Sequence, residues 1–562
     1  MTSRPRVLLG VLRAFVLVFG TVALWLAREA MNPDGVAYLD ASDVYLNGGW
    51  PASQTGYWSP LYPTLLAVGR LIGGTGPERE LAIAQTVNFV VFLLAFVGLE
   101  YLIQSVRVAT RARVPGAAPG DTAWRVLVYA LFAWATVGWM RPWMLTPDMC
   151  VAAIVFAVAG VSLRIASGRG GWGSIVALGV LLGLGYLAKA ALFPVGLVVL
   201  VTLGVMLRRT SAVRRVLVAG AVFLIVVAPQ ILYVSRLAGS PTFGDVGRLN
   251  YLWYVAGVPG AVSSSFPLPA RLPAPGRYGQ TVTPLDPDRD GPPVVYDIDA
   301  PIPGTLPIWY DAGYWFRGVA TPIDPLALVR AFVRHAREYL AMVGFLLVGG
   351  VAAAAAGPLS RRAVLAVRPA PLLVVPALAT LAMYALVLLE PRYVAPFTLL
   401  LFAGLVPPWA TDELSRRVRV GFAVGAVAAL PLIVHQARVD ARYWRGSARS
   451  RANVVAALGT HGIGPGSRLG FIGEAYDALW ARQGRFRFVT LLPSAEAGRF
   501  WALDPAGRVA VLDRMRARGA VAVIAEAPVP GVNVDGWERL PPAGVPRPEL
   551  MIYGDGVGAA RR

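Results

Sequence analysis

Eleven apolar segments, each 16 to 24 residues long and carrying few charges, dominate this 562-residue chain. They run approximately over 7–27, 80–103, 124–140, 147–163, 173–188, 191–207, 214–234, 338–356, 371–389, 394–410 and 418–435. Each has the length and low charge of a membrane helix. One soluble core does not need that much uninterrupted apolar sequence. Composition agrees: 56% of residues are hydrophobic and 15% charged, with mean hydropathy +0.57, against about 45–50% and about 25% in soluble domains.

The net charge of +20 invites a nucleic-acid reading. The arginines argue otherwise, because they fall in short loops between apolar segments. With the N-terminus in the cytoplasm, the inner loops hold Arg107, Arg111, Arg113 and Arg125, then Arg164 and Arg169. Further inner loops hold Arg208, Arg209, Arg214 and Arg215, then Arg361, Arg362 and Arg368, then Arg416, Arg417 and Arg419. Positive charge in short loops sets orientation. Eleven crossings then put the C-terminus outside. Arg4 and Arg6 before the first segment also fit a signal peptide, but no small-residue cleavage site follows, so a retained helix is expected. The single cysteine, Cys150, precludes an internal disulfide, and the three histidines, His335, His435 and His461, are far apart and make a multi-histidine metal site improbable.

The expected fold class is therefore an α-helical multi-pass membrane protein with a small C-terminal extracytoplasmic α/β domain. Residues 1–440 would form the transmembrane domain, with outer loops 28–77 and 235–335, and residues 450–562 the soluble domain. In that tail, Arg468–Ile472, Phe486–Leu491 and Val521–Ala525 have the pattern of short buried strands. Ala475–Gln483 and Pro505–Arg518 have that of helices, the second stopped by Gly519. No nucleotide-binding motif occurs there, and no chemistry is expected of it. Within the first outer loop, Val36–Asn47 suits a short helix ended by Gly48 and Gly49. Leu61–Ile72 suits an interfacial helix with Tyr57, Trp58 and Tyr62 as headgroup-level anchors.

Several polar residues fall on the same outer side. Asn32-Pro33-Asp34 and Thr146-Pro147-Asp148 repeat one pattern: a cap residue, Pro as first helical residue, then an acid. Simple capping by Asn or Thr, with the acid on the helix dipole, accounts for both. An acid beside a membrane span is equally a functional candidate. Asp40 and Asp43 lie three apart on one helical face that Asp34 precedes, and are as compatible with solvated surface as with a site. Lys189 ends an apolar stretch, either snorkelling to the interface or contacting phosphate. Arg392, in Glu390-Pro391-Arg392-Tyr393, is either an ion-pair partner of Glu390 or a phosphate ligand, which its planar fork suits. Asp286-Pro-Asp288-Arg-Asp290-Gly291 with Asp297 approaches calcium-loop spacing, but the final Glu is an Asp and prolines crowd it, which favours a solvated turn.

Taken together, these motifs resemble the GT-C superfamily of polyprenyl-phosphate-sugar-dependent glycosyltransferases. Their nearest likeness is to glycosyltransferase family 39, to the bacterial relatives of the protein O-mannosyltransferases and to the lipid A aminoarabinose transferase. Asp34 with Tyr38, Gly48-Gly49 and Tyr57-Trp-Ser-Pro-Leu-Tyr-Pro63 are similar to that family's first outer loop. Thr146-Pro147-Asp148 resembles its second acidic position, Gly183-Leu-Gly-Tyr-Leu-Ala-Lys189 its G-x-x-x-L-x-K segment, and Glu390-Pro-Arg392-Tyr393 its late R-Y segment. The likeness covers about the first 430 residues. The family often has Asp-Glu where this chain has Asp34-Gly35, so an acid is missing and a metal site built on a pair of acids loses its basis.

The resemblance implies a GT-C membrane fold in the bacterial inner membrane and a polyprenyl-phosphate sugar donor. The acceptor would be an extracytoplasmic hydroxyl on a cell-envelope lipid, glycan or protein, and transfer would invert the anomeric centre. It points to Asp34 as base and Asp148 as its helper, with Arg392 and Lys189 on the donor phosphate. Asp40, Tyr38, Glu390 and Tyr393 are accessory candidates, and a divalent cation is a possible cofactor. Membrane lipids are expected partners and nucleic acid is not. Two rival readings are a lipid or glycan transporter or assembly scaffold, and a ligase or polymerase using a pyrophosphate-linked glycan. No internal repeat favours transport.

Overall fold

The computed structural model describes residues 3–47, 56–113, 122–207, 210–257, 281–284, 293–299, 321, 323–355, 370–405, 416–475, 478–528, 530–531, 533–541 and 549–554. Gly48, Gly49 and the Asp286–Gly291 turn lie outside them.

The chain is mostly helical. Each of the eleven apolar segments falls on a helix. These are α1 (Ser3–Leu26), α4 (Glu80–Arg113), α5 (Thr122–Trp134) with a π-turn Ala135–Met140, α6 (Asp148–Ala166), α7 (Trp172–Ala188) and α8 (Leu192–Leu207). They continue as α9 (Thr210–Ala238), α11 (Pro325–Ala355), α12 (Pro371–Val387), α13 (Pro391–Leu405) and α14 (Arg416–Thr460). Among the described residues, four helices are long and apolar enough to cross a membrane. Apolar side chains are exposed on them, as lipid-facing surfaces require: Val18, Val97 and Ile225 are more than half exposed. Glycine sets the closest helix packing. A Cβ on Gly183 of α7 would meet Val226 Cγ1 of α9 at 2.4 Å, so the G-x-x-x-L-x-K segment needs glycine there for contact with α9.

Three shorter helices are α2 (Pro33–Leu46), α3 (Leu61–Gly73) and α10 (Val246–Tyr254). A seven-stranded sheet lies beyond them, in the order β1-β2-β4-β3-β5-β7-β6. Its centre is parallel: β3 (Arg468–Gly473) lies between β4 (Arg487–Pro493) and β5 (Ala522–Glu526). Such strands are covered on both faces and read as continuous apolar runs, as β3 does with five consecutive buried residues. Helices α15 (Leu479–Gln483), α16 (Ser494–Ala502) and α17 (Pro505–Ala517) connect them, and β6 (Glu538–Arg539) and β7 (Leu550–Tyr553) close one edge. The other edge is not made by the tail. β1 (Thr281–Pro284) and β2 (Tyr296–Asp299) come from the long outer loop, and β2 pairs antiparallel with β4. Its strand pair completes the sheet, which caps the β4 edge.

Helix α2 sits between the two bodies. Tyr38 and Leu39 pack into the helical core, whereas Val36 and Ala37 pack with Phe471 and Trp480 of the sheet unit. Covered on opposite faces, α2 has nine of its fourteen residues buried, Asp40 and Ser42 among them. Its first turn, which carries Asp34, is therefore held from above and below.

Candidate active site

Four residues singled out in the sequence meet at one place. Arg392, in the first turn of α13, donates from Nη2 to Asp34 Oδ2 at 2.9 Å. Its Nε lies 3.8 Å from Asp148 Oδ2. Lys189 Nζ, just past the end of α7, donates to Asp148 Oδ1 at 2.9 Å. The Tyr393 ring lies 3.1 Å below the ammonium, a cation–π contact that helps hold a desolvated charge. Asp34 and Asp148 open α2 and α6, where the helix dipole favours a carboxylate. Helix starts and ends from four segments thus build a cluster of two acids and two cations. Asp148 is nearly sealed and Asp34 is the more open, with side-chain exposures of 2% and 24%.

The alternatives left open for these residues are decided by the contacts. Lys189 does not snorkel, because it is turned inward onto Asp148. The ion pairs of Arg392, among the described residues, are with Asp34 and Asp148 and not with Glu390. Asn32 precedes α2 but makes no side-chain cap. Its Oδ1 instead accepts from Leu145 N at 3.1 Å, tying the start of α2 to the segment before α6. Thr146 is not the cap residue of α6, since the helix begins at Asp148 with Pro147 before it.

Tyr38 belongs beside the cluster. Its ring contacts Trp58 and Tyr62 edge-on, with centroids 5.0 and 5.2 Å apart. Burial, reinforced by Asp34, pushes its phenol well above the ordinary value, so it remains a protonated donor. Tyr57 is pushed up likewise by burial. Of the aromatics expected as headgroup-level anchors, Tyr62 is instead inside the protein, while Tyr57 and Trp58 are only partly buried. Tyr62 is fully buried and donates to Asn88 Oδ1 at 2.7 Å, because a buried hydroxyl needs a partner. Ser59 Oγ accepts from Ala190 N at 3.1 Å, which fixes the backbone next to Lys189. Glu390 lies in the turn between α12 and α13, and burial pushes its carboxyl up against the pull of Arg392. Burial also pushes the Lys189 ammonium down to about 8, outweighing Asp148.

Asp40 is a correction. It lies six residues after Asp34, about 120° away around an ideal helix, and faces the tail. Its carboxylate accepts from Arg482 Nη1 of α15 at 2.6 Å. The same guanidinium reaches Asp43 Oδ2 at 2.7 Å and the Glu80 carboxylate. Arg70 and Arg485 complete a buried group of three cations and three acids. Burial alone would push the Asp43 carboxyl up, but Arg482, Arg485 and Arg70 outweigh it and hold it below the ordinary value. Sequence reading missed Arg482. The available signal was an arginine inside the otherwise apolar Ala-Leu-Trp-Ala-Arg segment, which cannot be buried without acids to meet it.

The donor set does not fit a divalent cation. Both carboxylates are occupied by Arg392 and Lys189, and no group of three metal-ligating side chains occurs among the described residues. Nor is there room for the acid that is missing at position 35. A Cβ on Gly35 would already stand 2.7 Å from Leu145 Cβ and 2.9 Å from Asn32 Oδ1. One polar atom is left over: Asp148 Oδ2 is buried without a hydrogen-bond partner among the described residues.

A narrow apolar cavity of about 30 Å³ lies between α6, α7, α8, α12 and α13, and none of the four charged residues lines it. Val155, Val158, Leu182, Val195, Pro376 and Leu400 are among its lining. Gly185, one turn before Lys189, stands at its upper end. Ser162, at its lower end, is about 21 Å along α6 from Asp148 at 1.5 Å per residue.

No protein-family model matches the chain, and no curated protein matches it. Solved structures resemble it loosely. ArnT from Cupriavidus metallidurans bound to undecaprenyl phosphate is 16% identical, with 99% of each chain covered and a TM-score of 0.44. The Archaeoglobus fulgidus oligosaccharyltransferase in complex with Zn and sulfate is 13% identical over 91% of this chain and 68% of its own, with a TM-score of 0.44. AglB from the same organism, in complex with an inhibitory peptide and a dolichol-phosphate, is 12% identical with a TM-score of 0.39, covering 91% and 69%. Likeness at this level transfers neither ligand nor activity, and the functional reading rests on the site.

Proposed function

We propose that this chain is an integral membrane glycosyltransferase that moves a sugar from a polyprenyl-phosphate donor to an extracytoplasmic acceptor hydroxyl, with inversion. The observation that carries this reading is the Asp34–Arg392–Asp148–Lys189 cluster, two acids and two cations brought together at helix ends. A phosphate-linked donor needs cations for its phosphate and the acceptor needs a base, and the cluster supplies both.

In the transfer, the acceptor oxygen bonds to the anomeric carbon while the bond from that carbon to the phosphate oxygen breaks. The electron pair leaves with the polyprenyl phosphate, and Asp34 takes the hydroxyl proton. Phosphate is a good leaving group, so a base and cations suffice. Asp34 is the fitter base because it is the more open carboxylate. Asp148, sealed and held by Lys189, orients the two cations. Arg392 keeps donors for the departing phosphate, since Nη1 makes no hydrogen bond among the described residues and a guanidinium has five N–H groups. One carboxylate base with no carboxylate nucleophile leads to inversion, by analogy with glycosidases.

The reading includes eleven crossings, N-terminus inside and C-terminus outside. The test is sugar transfer from a polyprenyl-phosphate donor in reconstituted membranes, with donor binding measured separately. Arg392→Lys should weaken donor binding, because a point charge replaces a planar fork. Unchanged donor binding in that variant would remove Arg392 from the phosphate.

A further inference from the structure

A second polar cavity lies away from the cluster, beside the outer end of α1. It measures about 730 Å³, within the range of about 300–1,000 Å³ typical of ligand sites. Trp25, Arg28, Leu81, Arg445 and Arg449 are among its lining. Four guanidiniums, with Arg451 the fourth, face one carboxylate, Glu29.

The back wall is rigid. Arg451 is 2% exposed and donates to Gln483 Oε1, Ser447 Oγ and the Glu29 carbonyl at 2.9–3.0 Å. The front is unsatisfied. Arg445 and Arg449 are exposed and make no hydrogen bond or ion pair among the described residues. Among the described residues, Arg28 donates a hydrogen bond only to the Trp25 carbonyl and lies 4.5 Å over the Trp25 ring. Arg438 and Arg442 continue the same line down α14, since steps of four, three and four residues keep one helical face.

The cavity also has a defined depth. The apolar run of α1 ends at Leu26, and Trp25 and Arg28 are the residue types that settle at the headgroup boundary. Below the cavity, Val11, Val18, Val22 and Trp25 make an exposed stripe on α1, each about half exposed or more. An occupant would thus meet cations at its head and an apolar track along its tail.

We propose that this cavity binds the anionic phosphate headgroup of an outer-leaflet lipid, with Arg28, Arg445 and Arg449 as ligands and the α1 stripe against its acyl chains. This rests on the outward placement of this end of α1, but not on sugar transfer, so its test stands if the glycosyltransferase reading fails.

The experiment uses the delipidated full-length protein in neutral detergent. It is titrated with tail-labelled fluorescent phosphatidylglycerol, with phosphatidylcholine of the same tails, and with inorganic phosphate as competitor. The expected result is at least ten-fold tighter binding of phosphatidylglycerol, shrinking with salt as exposed charges are screened. Arg445→Gln with Arg449→Gln should bring it to the phosphatidylcholine level, at about five-fold per arginine removed. Arg445→Lys with Arg449→Lys should keep most of the preference. Equal binding of the two lipids by the unaltered protein, or an undiminished preference in the double glutamine variant, would overturn the proposal. Displacement by micromolar inorganic phosphate would overturn the assignment to a lipid.

Discussion

At the scale of single residues, Asp34 carries the sharpest test. As a mere helix starter it would tolerate Asp34→Asn, since Asn serves helix starts about as well. As a base it would not, and loss of a general base costs about 10²–10⁴-fold in rate. Transfer should fall by that factor with donor binding retained, and near-normal transfer would sink the assignment. Lys189 has its own signature. Burial lowers its folded value to about 8, so it is charged below that pH and neutral above. Asp148, Asp34, Arg392 and Tyr393 face it, and none removes the sign of the effect. Donor affinity should fall as pH rises through about 8, and Lys189→Arg should abolish that fall, because guanidinium stays charged. Binding measured between about pH 6 and 10 decides it. A flat profile in the unaltered protein would take Lys189 off the phosphate. These four residues were legible because each breaks an apolar pattern at a segment boundary. Asp40 was not, because spacing gives its face but not what covers that face.

At the scale of elements, α2 links the site to the tail. The sequence suggested a tail dispensable for chemistry, because it holds no catalytic constellation. The buried Arg482 cluster argues that it nonetheless holds α2 in place. Removing one partner from such a cluster leaves uncompensated buried charge, at a cost of about 3–5 kcal/mol. Arg482→Met should therefore lower thermal stability by that order and reduce transfer by loosening the helix that presents Asp34. Adding Asp40→Leu should recover part of the stability, since apolar replacement of a buried pair is often neutral. A fully stable and active Arg482→Met protein would show that α2 is held by apolar packing alone. Helices were legible here because apolar length and charge-free runs mark them directly. The strands β1 and β2 were not, because four-residue strands in a proline-rich loop carry too few positions for a period-two signal. The inward packing of Tyr62 was hidden for a related reason: an amphipathic aromatic reads alike at a membrane interface and in a core with one polar partner.

At the scale of the whole molecule, orientation is the quantity on which the functional reading depends. A polyprenyl-phosphate site facing outward requires the starts of α2, α6 and α13 and the end of α7 to share one side. Contact between Asp34, Asp148, Lys189 and Arg392 makes the common side a geometric necessity, and only its identity is left to charge. Arg164 and Arg169 stand at the other ends of α6 and α7 from Asp148 and Lys189, and the positive-inside rule predicts that those ends face the cytoplasm. Cys150 is buried, so introduced cysteines give a clean readout. A cysteine at Ser494, at the start of α16, should react with an impermeant reagent added from outside, and one at Ser360 should react only after the membrane is opened. The reverse pattern would turn the sheet, the cluster and the basic cavity to the cytoplasm together. It would remove the outward acceptor while leaving the charged cluster intact, so the topology measurement separates where the sugar goes from how the donor phosphate is held.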